Sequence, residues 1–123
     1  STPLWLLNHL HDVTKAYKII NYFEHNPKAT SIVVIIGNLF TFYSRLMRIH
    51  FLPNKTKEAV AGALRVHPYA AGELINASRI YNPTKIAKNM EILHDFDLRS
   101  KGVGNSSSSE GELMREMIYS LMH

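Results

Sequence analysis

The apolar segment from Ile32 to Leu52 constrains the fold of this 123-residue chain more than any other feature. Its first five residues, Ile32–Ile36, would favour a β-strand by themselves, because β-branched side chains are common in strands. The apolar positions from Leu39 to Phe51 continue with a helical period, so that the whole segment spans about five helical turns. No second strand-like run exists elsewhere in the sequence to pair with it. Polar residues, among them Asn38, Arg45, Arg48 and His50, interrupt the segment. The segment therefore predicts a long, buried amphipathic helix rather than a membrane span.

Proline, asparagine and glycine mark helix boundaries in the rest of the chain. Asn82-Pro83 combines an N-cap residue with a proline at the first helical position, and Gly102 stands where a helix end favours a left-handed residue. Ser109 and Glu112 have the spacing of a capping box. Seven helical segments are predicted: Pro3 to about Leu10, Val13 to about His25, Thr30 or Ser31 to Phe51, Asn54 or Thr56 to Leu64, Pro68 to about Arg79, Pro83 to Lys101, and a last helix after Ser109. The expected fold is all-α, a compact bundle of about five to seven helices that forms a single domain over residues 1–123.

The chain contains no cysteine and carries a formal charge of +4. The absence of cysteine removes disulfides, thiolate metal ligands and a cysteine nucleophile, and it fits a reducing compartment. No signal peptide is visible in the sequence. We therefore expect a cytoplasmic protein that does not enter a membrane.

Positive charge is concentrated in the middle of the chain. Residues 28–88 contain nine Lys and Arg but only two acidic residues, whereas the flanking residues are acidic on balance. This distribution fits a DNA contact, an acidic partner subunit or an ordinary solvated surface, and it does not choose among them. The candidate DNA contacts are Lys55, Lys57, Arg65, Arg79 and Lys101.

The segment Glu58–Ile75 has the pattern of a helix-turn-helix unit, in which the second helix enters the major groove of DNA. Here that second helix, which begins at Pro68, would present four side chains: Tyr69, Glu73, Asn76 and Arg79. Against this interpretation, Arg65 occupies a turn position that favours glycine, and the exposed face has few side chains suited to reading bases. Two packed helices of an ordinary bundle give the same pattern, so both interpretations stay open.

The familiar catalytic and cofactor-binding motifs are absent from the sequence. There is no Gly-x-Ser-x-Gly nucleophile elbow, no phosphate-binding loop and no Gly-x-Gly-x-x-Gly dinucleotide fingerprint. No two of the seven histidines have the i,i+3 or i,i+4 spacing that places two metal ligands on one helix face. We therefore predict no catalytic residue, no cofactor and no metal ion for this chain.

Asp97 lies on the apolar seam of its predicted helix, within about 40° of Ile86 and Leu93 around the helix axis. A buried carboxylate is costly unless a base neutralises it. We therefore predict a largely buried ion pair, either with Lys101 four residues later or with an arginine of the long apolar helix. Loss of the partner would then cost several kcal/mol. The alternative is a helix rotated so that Asp97 is half exposed.

Five stretches, spread over nearly the whole chain, carry a family resemblance. They are Tyr17–Phe23, Ile36–Phe40, Ala63–Tyr69, Asp97–Asn105 and Gly111–His123. The more specific pieces read Leu-x-Val-His-Pro-Tyr from Leu64 and Asp-Leu-Arg-Ser-Lys-Gly-Val-Gly from Asp97. In these pieces the chain resembles the C-terminal domain of the delta subunit of bacterial DNA polymerase III, in its Bacteroidetes-type form. The delta subunit belongs to the clamp loader and opens the sliding clamp.

The resemblance implies a helical collar domain, which in this family packs side by side with the matching domains of other subunits into a ring. The implied partners are the other clamp-loader subunits, DNA within the assembly, and the sliding clamp. The clamp would be contacted through ATPase-like regions N-terminal to the collar, which this chain lacks. The resemblance implies no enzymatic activity for this domain, since the parent protein would belong to the polymerase III holoenzyme without being its catalytic subunit.

Assembly with other subunits would need an apolar patch on the outside of the bundle. The candidate interface residues are Trp5, Leu6, Phe42, Met117 and Leu121. The alternative function is an independent helix-turn-helix DNA-binding module, for which the affinity for duplex DNA would fall steeply with salt.

Overall fold

The computed structural model describes residues 8–102 and 109–123, which form six α-helices. The helices are α1 (Val13–His25), α2 (Ile32–His50), α3 (Lys57–Leu64), α4 (Pro68–Ile80), α5 (Pro83–Ser100) and α6 (Glu110–Met122). The described residues contain no strand, which confirms the predicted all-α fold. The additional helix predicted from Pro3 to about Leu10 falls largely outside the described residues.

Each helix begins next to a side chain that accepts a hydrogen bond from the first turn. The N-cap residues are Asp12, Ser31, Thr56, His67, Asn82 and Ser109. At α4 the acceptor is an imidazole nitrogen, because His67 Nδ1 lies 3.0 Å from the N–H nitrogen of Tyr69. At α6 the Ser109 hydroxyl oxygen lies 3.2 Å from the N–H nitrogen of Glu112, as the predicted capping box requires. The Glu112 carboxylate accepts from the Ser109 hydroxyl at 3.2 Å. These local caps fix the helix starts that the sequence predicts.

The centre of the packing is α2, which contacts α4, α5 and α6. Eight of its residues are buried: Ile32, Ile35, Ile36, Leu39, Phe42, Tyr43, Leu46 and Ile49. The remaining helices form two hairpins, α3–α4 and α5–α6, and α1 packs on α6. One apolar helix therefore holds both hairpins in place.

The α5–α6 hairpin is antiparallel, and polar contacts join both of its ends. Arg99 Nη1 near the end of α5 lies 3.0 Å from Glu116 Oε2 in α6. At the other end, Lys88 Nζ lies 3.4 Å from the carbonyl oxygen of His123. The Arg99 guanidinium also stacks over the ring of Phe96, with its carbon 4.6 Å from the ring centroid. The two helices are thus held in a defined register.

Glu110 joins the N-termini of α2 and α6. It is the first residue of α6, and its Oε1 accepts a hydrogen bond from the N–H of Ile32, the first residue of α2, at 2.6 Å. A carboxylate in this position is favourable because the first N–H groups of a helix lack intrahelical partners and the helix dipole is positive there. This contact ties the last helix to the start of the central one.

Two helices end in residues with positive φ. Gly102 after α5 has a φ of +85°, which confirms its predicted place at a helix end, where glycine adopts this conformation without a steric penalty. Arg65 after α3 has a φ of +56°. For a residue with a Cβ atom this left-handed conformation costs roughly 1–2 kcal/mol. The three residues from Arg65 to His67 thus form a tight turn, with a length that also occurs in helix-turn-helix units.

Candidate interaction surface on α2

The central helix carries a second apolar face, which the described part of the chain leaves exposed. Six positions form this face with a regular spacing of four and three residues: Val33, Gly37, Phe40, Ser44, Met47 and Phe51. They lie within a sector of about 80° around the helix axis. Three of the large side chains, Val33, Phe40 and Phe51, are 54%, 49% and 77% exposed, whereas Ser44 and Met47 are half-buried. The six positions, which we call the α2 stripe, contain no charged residue.

The buried face of α2 lies on the other side of the helix, around Phe42 and Leu46. The sequence pattern predicted a single core-facing period that included Phe40, Met47 and Phe51, and for Phe40 and Phe51 this prediction is wrong. The reason is that α2 is apolar over more than half of its circumference, while the two hairpins cover only part of it. Helices that are apolar over most of their surface are normally buried. The four-three spacing was the available signal of a separate second face.

Basic side chains border only the C-terminal half of the α2 stripe. Arg45 and Arg48 lie beside it and are exposed. Arg48 Nη2 donates a hydrogen bond to the carbonyl oxygen of Ala63 at 3.0 Å, which holds this arginine against α3. The corresponding positions in the N-terminal half are the uncharged Val34 and Thr41. The surface therefore has an uncharged end and a basic end.

By length and composition, α2 also passes the test for a helix that could cross a membrane, with a mean hydropathy of 1.4. Of the apolar window that passes this test, 44% is buried inside the bundle. Core helices of soluble proteins pass the same test. We therefore attribute the high hydropathy to the two apolar faces of one bundle helix.

Three of the five predicted interface residues lie in the core of the bundle. Phe42, Met117 and Leu121 are 5%, 0% and 2% exposed, so the prediction that they form an external patch is wrong. Phe42 lies on the buried face of α2. Met117 and Leu121 lie on the buried face of α6, which packs into the core. Trp5 and Leu6 lie outside the described residues.

Asp97 pairs with Lys101, one of the two predicted kinds of partner, with Oδ2 and Nζ 2.9 Å apart. The pair is not largely buried, since the side chains are 28% and 61% exposed. The buried face of α5 is centred nearer to Asn89 and Phe96 than the sequence pattern indicated. Asp97 therefore lies at the edge of the buried face. A pair this exposed contributes less than about 1 kcal/mol, not the several kcal/mol expected for a buried one.

The predicted DNA-contacting residues do not form one patch. Lys57 and Arg65 lie at the two ends of α3, and Lys55 Nζ donates to the carbonyl oxygen of Leu52 at 2.9 Å. Arg79 lies near the end of α4, whereas Lys101 is paired at the end of α5. The first four belong to the α3–α4 hairpin and its flanks, whereas Lys101 follows α5.

A cleft of about 1030 Å³ lies between α2, α4 and the residues that precede α1. Its polar lining residues include Asn8, His9, His11, Asn38, Arg45, Tyr69, Glu73 and Asn76. Burial and the neighbouring His9 lower the pKa of His11 below its ordinary value. Among the residues that the structure describes, no three His, Cys, Asp or Glu side chains are grouped as a metal site would require. The cleft is therefore a groove with a mixed polar and apolar lining.

A buried polar cluster lies where α2 meets α5 and the start of α1. The Tyr81 hydroxyl accepts a hydrogen bond from the N–H of His11 at 3.1 Å. Tyr43 and Asn89 are fully buried, and within the described structure their side-chain polar atoms have no hydrogen-bond partner of good geometry. Burial raises the pKa of the Tyr43 phenol above its usual range and that of Tyr81 to about 12. The sequence pattern placed Tyr43 in the apolar period of α2, but it did not single out this cluster, because its members come from separate segments that only the fold brings together.

Comparisons of the chain with protein-family models, with curated proteins and with solved structures found no match. The function must therefore be argued from the residues and surfaces of this chain.

The two buried phenols predict a loss of stability at alkaline pH. Above about pH 10 the unfolded chain releases phenol protons that the folded chain retains, so the free energy of unfolding falls as the pH rises towards 12. Tyr81→Phe should remove about 1 kcal/mol of the loss between about pH 9 and pH 11. Denaturant unfolding at these two pH values measures the loss in the free energy of unfolding. The exposed residue Tyr119 provides the control, because Tyr119→Phe should leave the loss unchanged. An equal loss in Tyr81→Phe and the parent chain would contradict this assignment.

Proposed function

We propose that this chain is a helical assembly module of a clamp loader, equivalent to the collar domain of a DNA polymerase III delta subunit. In this role it would hold its parent subunit in the complex that loads the sliding clamp onto DNA during replication. The observation that carries the proposal is the α2 stripe, an apolar face of the central helix on which the described residues leave Val33, Phe40 and Phe51 exposed.

The α2 stripe suits a protein partner better than a small ligand. Its residues extend over about 27 Å of helix, and exposed Phe40 and Phe51 offer the large side chains that dominate protein interfaces. It contains no polar side chains that converge on one point, as small-molecule sites do. A helix of a neighbouring subunit could lie along it with ordinary ridge-and-groove packing.

The two more specific sequence pieces that resemble the delta subunit lie at helix ends in the described part of this bundle. The Leu64–Tyr69 piece contains the left-handed Arg65 and the N-cap His67, and the Asp97 piece contains the Asp97–Lys101 pair and Gly102. These residues set the lengths and connections of helices rather than any chemistry. They support a resemblance in how the bundle is built, which is what a collar domain requires.

The proposal assigns no catalytic step to this chain. Contacts with the sliding clamp would come from regions N-terminal to the collar, and contacts with DNA would arise within the assembled loader. The contribution of this domain would be to position those regions by binding the neighbouring subunits.

The test is binding of the chain to the other clamp-loader subunits of the same organism. Phe40→Glu places a charge in the middle of the α2 stripe and should weaken the binding at least about tenfold, because an aromatic anchor is replaced by a group that resists desolvation. Titration calorimetry with the purified subunits measures the change.

Tyr119→Glu is the matched control, because Tyr119 in α6 is 54% exposed, close to the 49% of Phe40, and lies away from the stripe. It should bind as the parent chain does, and both variants should keep the parent's thermal midpoint. A folded parent chain that binds none of the other loader subunits would refute the proposal.

A helix-turn-helix DNA-binding module remains the second candidate function, favoured by the three-residue turn between α3 and α4. The exposed face of α4 offers Asn76 and Arg79 but also Glu73 and Ile80, a poor set for contacting bases and phosphates. This function predicts binding to duplex DNA at low salt that weakens with added salt and with Arg79→Ala. Absence of binding at low salt in a gel-shift assay would remove it.

A further inference from the structure

We propose that the α2 stripe also pairs with the α2 stripe of a second copy of this chain, with the two helices antiparallel. The order of large and small residues along the stripe, its charges and its length support this pairing. It is independent of the clamp-loader assignment.

The spacing of the α2 stripe is that of a helix–helix seam. Intervals of four and three residues recur from Val33 to Phe51, and such a repeat keeps a seam facing a partner helix along its length. The sequence of intervals reads the same in both directions. In an antiparallel pair centred between Phe40 and Ser44, each stripe position therefore faces a stripe position of the second copy.

Side-chain sizes are complementary in this antiparallel register. Phe40 faces Ser44 of the second copy, and Met47 faces Gly37, so each inner layer combines one large and one small residue. Space is open at Gly37, since no heavy atom lies within 4 Å of the position that a Cβ would occupy there. Alternation of large and small residues across facing positions fills a helix interface without voids or overlap.

A parallel pair would lack this fit. It would place Phe40 against Phe40 and leave a gap where Gly37 faces Gly37. It would also bring the two Arg48 side chains together at the basic end of the surface. In the antiparallel pair the two Arg48 residues are about 18 Å apart along the helix axis, beyond the screening distance of about 8–10 Å in physiological salt.

The length of the surface limits the strength of this pairing. About 27 Å of a single helix buries less than the 1,200–2,000 Å² of a stable standard interface, so the dimer should form reversibly and depend on concentration. If the clamp-loader function proposed above is right, the second copy and the neighbouring subunit compete for the same surface. Only this expected competition rests on the proposed function.

Cysteine cross-linking tests the antiparallel register directly, because the chain has no cysteine of its own. Thr41 lies on the exposed flank of the α2 stripe next to the two-fold axis of the antiparallel pair. Val34, one heptad earlier on the same flank, lies about 24 Å along the helix axis from its equivalent in the second copy. A short bismaleimide that spans much less than this distance should link Thr41→Cys chains into dimers, and it should not link Val34→Cys chains.

Gly62→Cys in α3 measures random cross-linking, because Gly62 is exposed, has open space around it and is not part of the α2 stripe. The Thr41→Cys chain should give several-fold more dimer than Gly62→Cys, and adding Phe40→Glu should return it to the Gly62→Cys level. Equal products from Thr41→Cys and Val34→Cys would indicate a parallel pair and overturn the proposal. So would a Thr41→Cys product no greater than that of Gly62→Cys. Either result is obtained without loader subunits and therefore leaves the clamp-loader assignment to its own test.

Discussion

The fold depends on the apolar surface of α2, which is larger than the rest of the bundle covers. Burial of apolar surface is the main favourable term in folding, and one side of this helix supplies it for both hairpins. The side that remains, from Val33 to Phe51, keeps large apolar groups in water at a cost in free energy. One side of α2 thus supplies the core of the domain, and burial of the other side would favour the binding of another helix.

The remaining elements hold α2 in one orientation. Glu110 ties the start of α6 to the start of α2, and Arg48 joins its other end to α3 through the carbonyl oxygen of Ala63. The buried phenols of Tyr43 and Tyr81 lie between these two ends. Hydrogen bonds at both ends of α2 and buried side chains at its middle therefore define the rotation of α2 about its axis. That rotation sets the direction in which the α2 stripe faces.

The helices themselves could be predicted from the sequence, because their boundaries are set locally. Asp12 and Asn82 cap the helices that follow them, and Gly102 ends α5 in the conformation that glycine favours. The rotation of each helix could not be predicted in the same way. Asp97 and Phe40 both lie on apolar seams in the sequence, yet tertiary packing turns the first to the edge of the core and the second to the outside.

The central claim is that the outer face of α2 is a docking surface, and thiol labelling measures this most directly. Gly37→Cys places a single thiol within the α2 stripe, and Gly62→Cys places one at an equally open position in α3. In dilute solution both should react with a maleimide at similar rates. Under the proposed function, addition of the clamp-loader subunits of the same organism should slow the reaction of Gly37→Cys at least several-fold and leave Gly62→Cys unchanged. Rates that stay equal for the two variants would contradict the account.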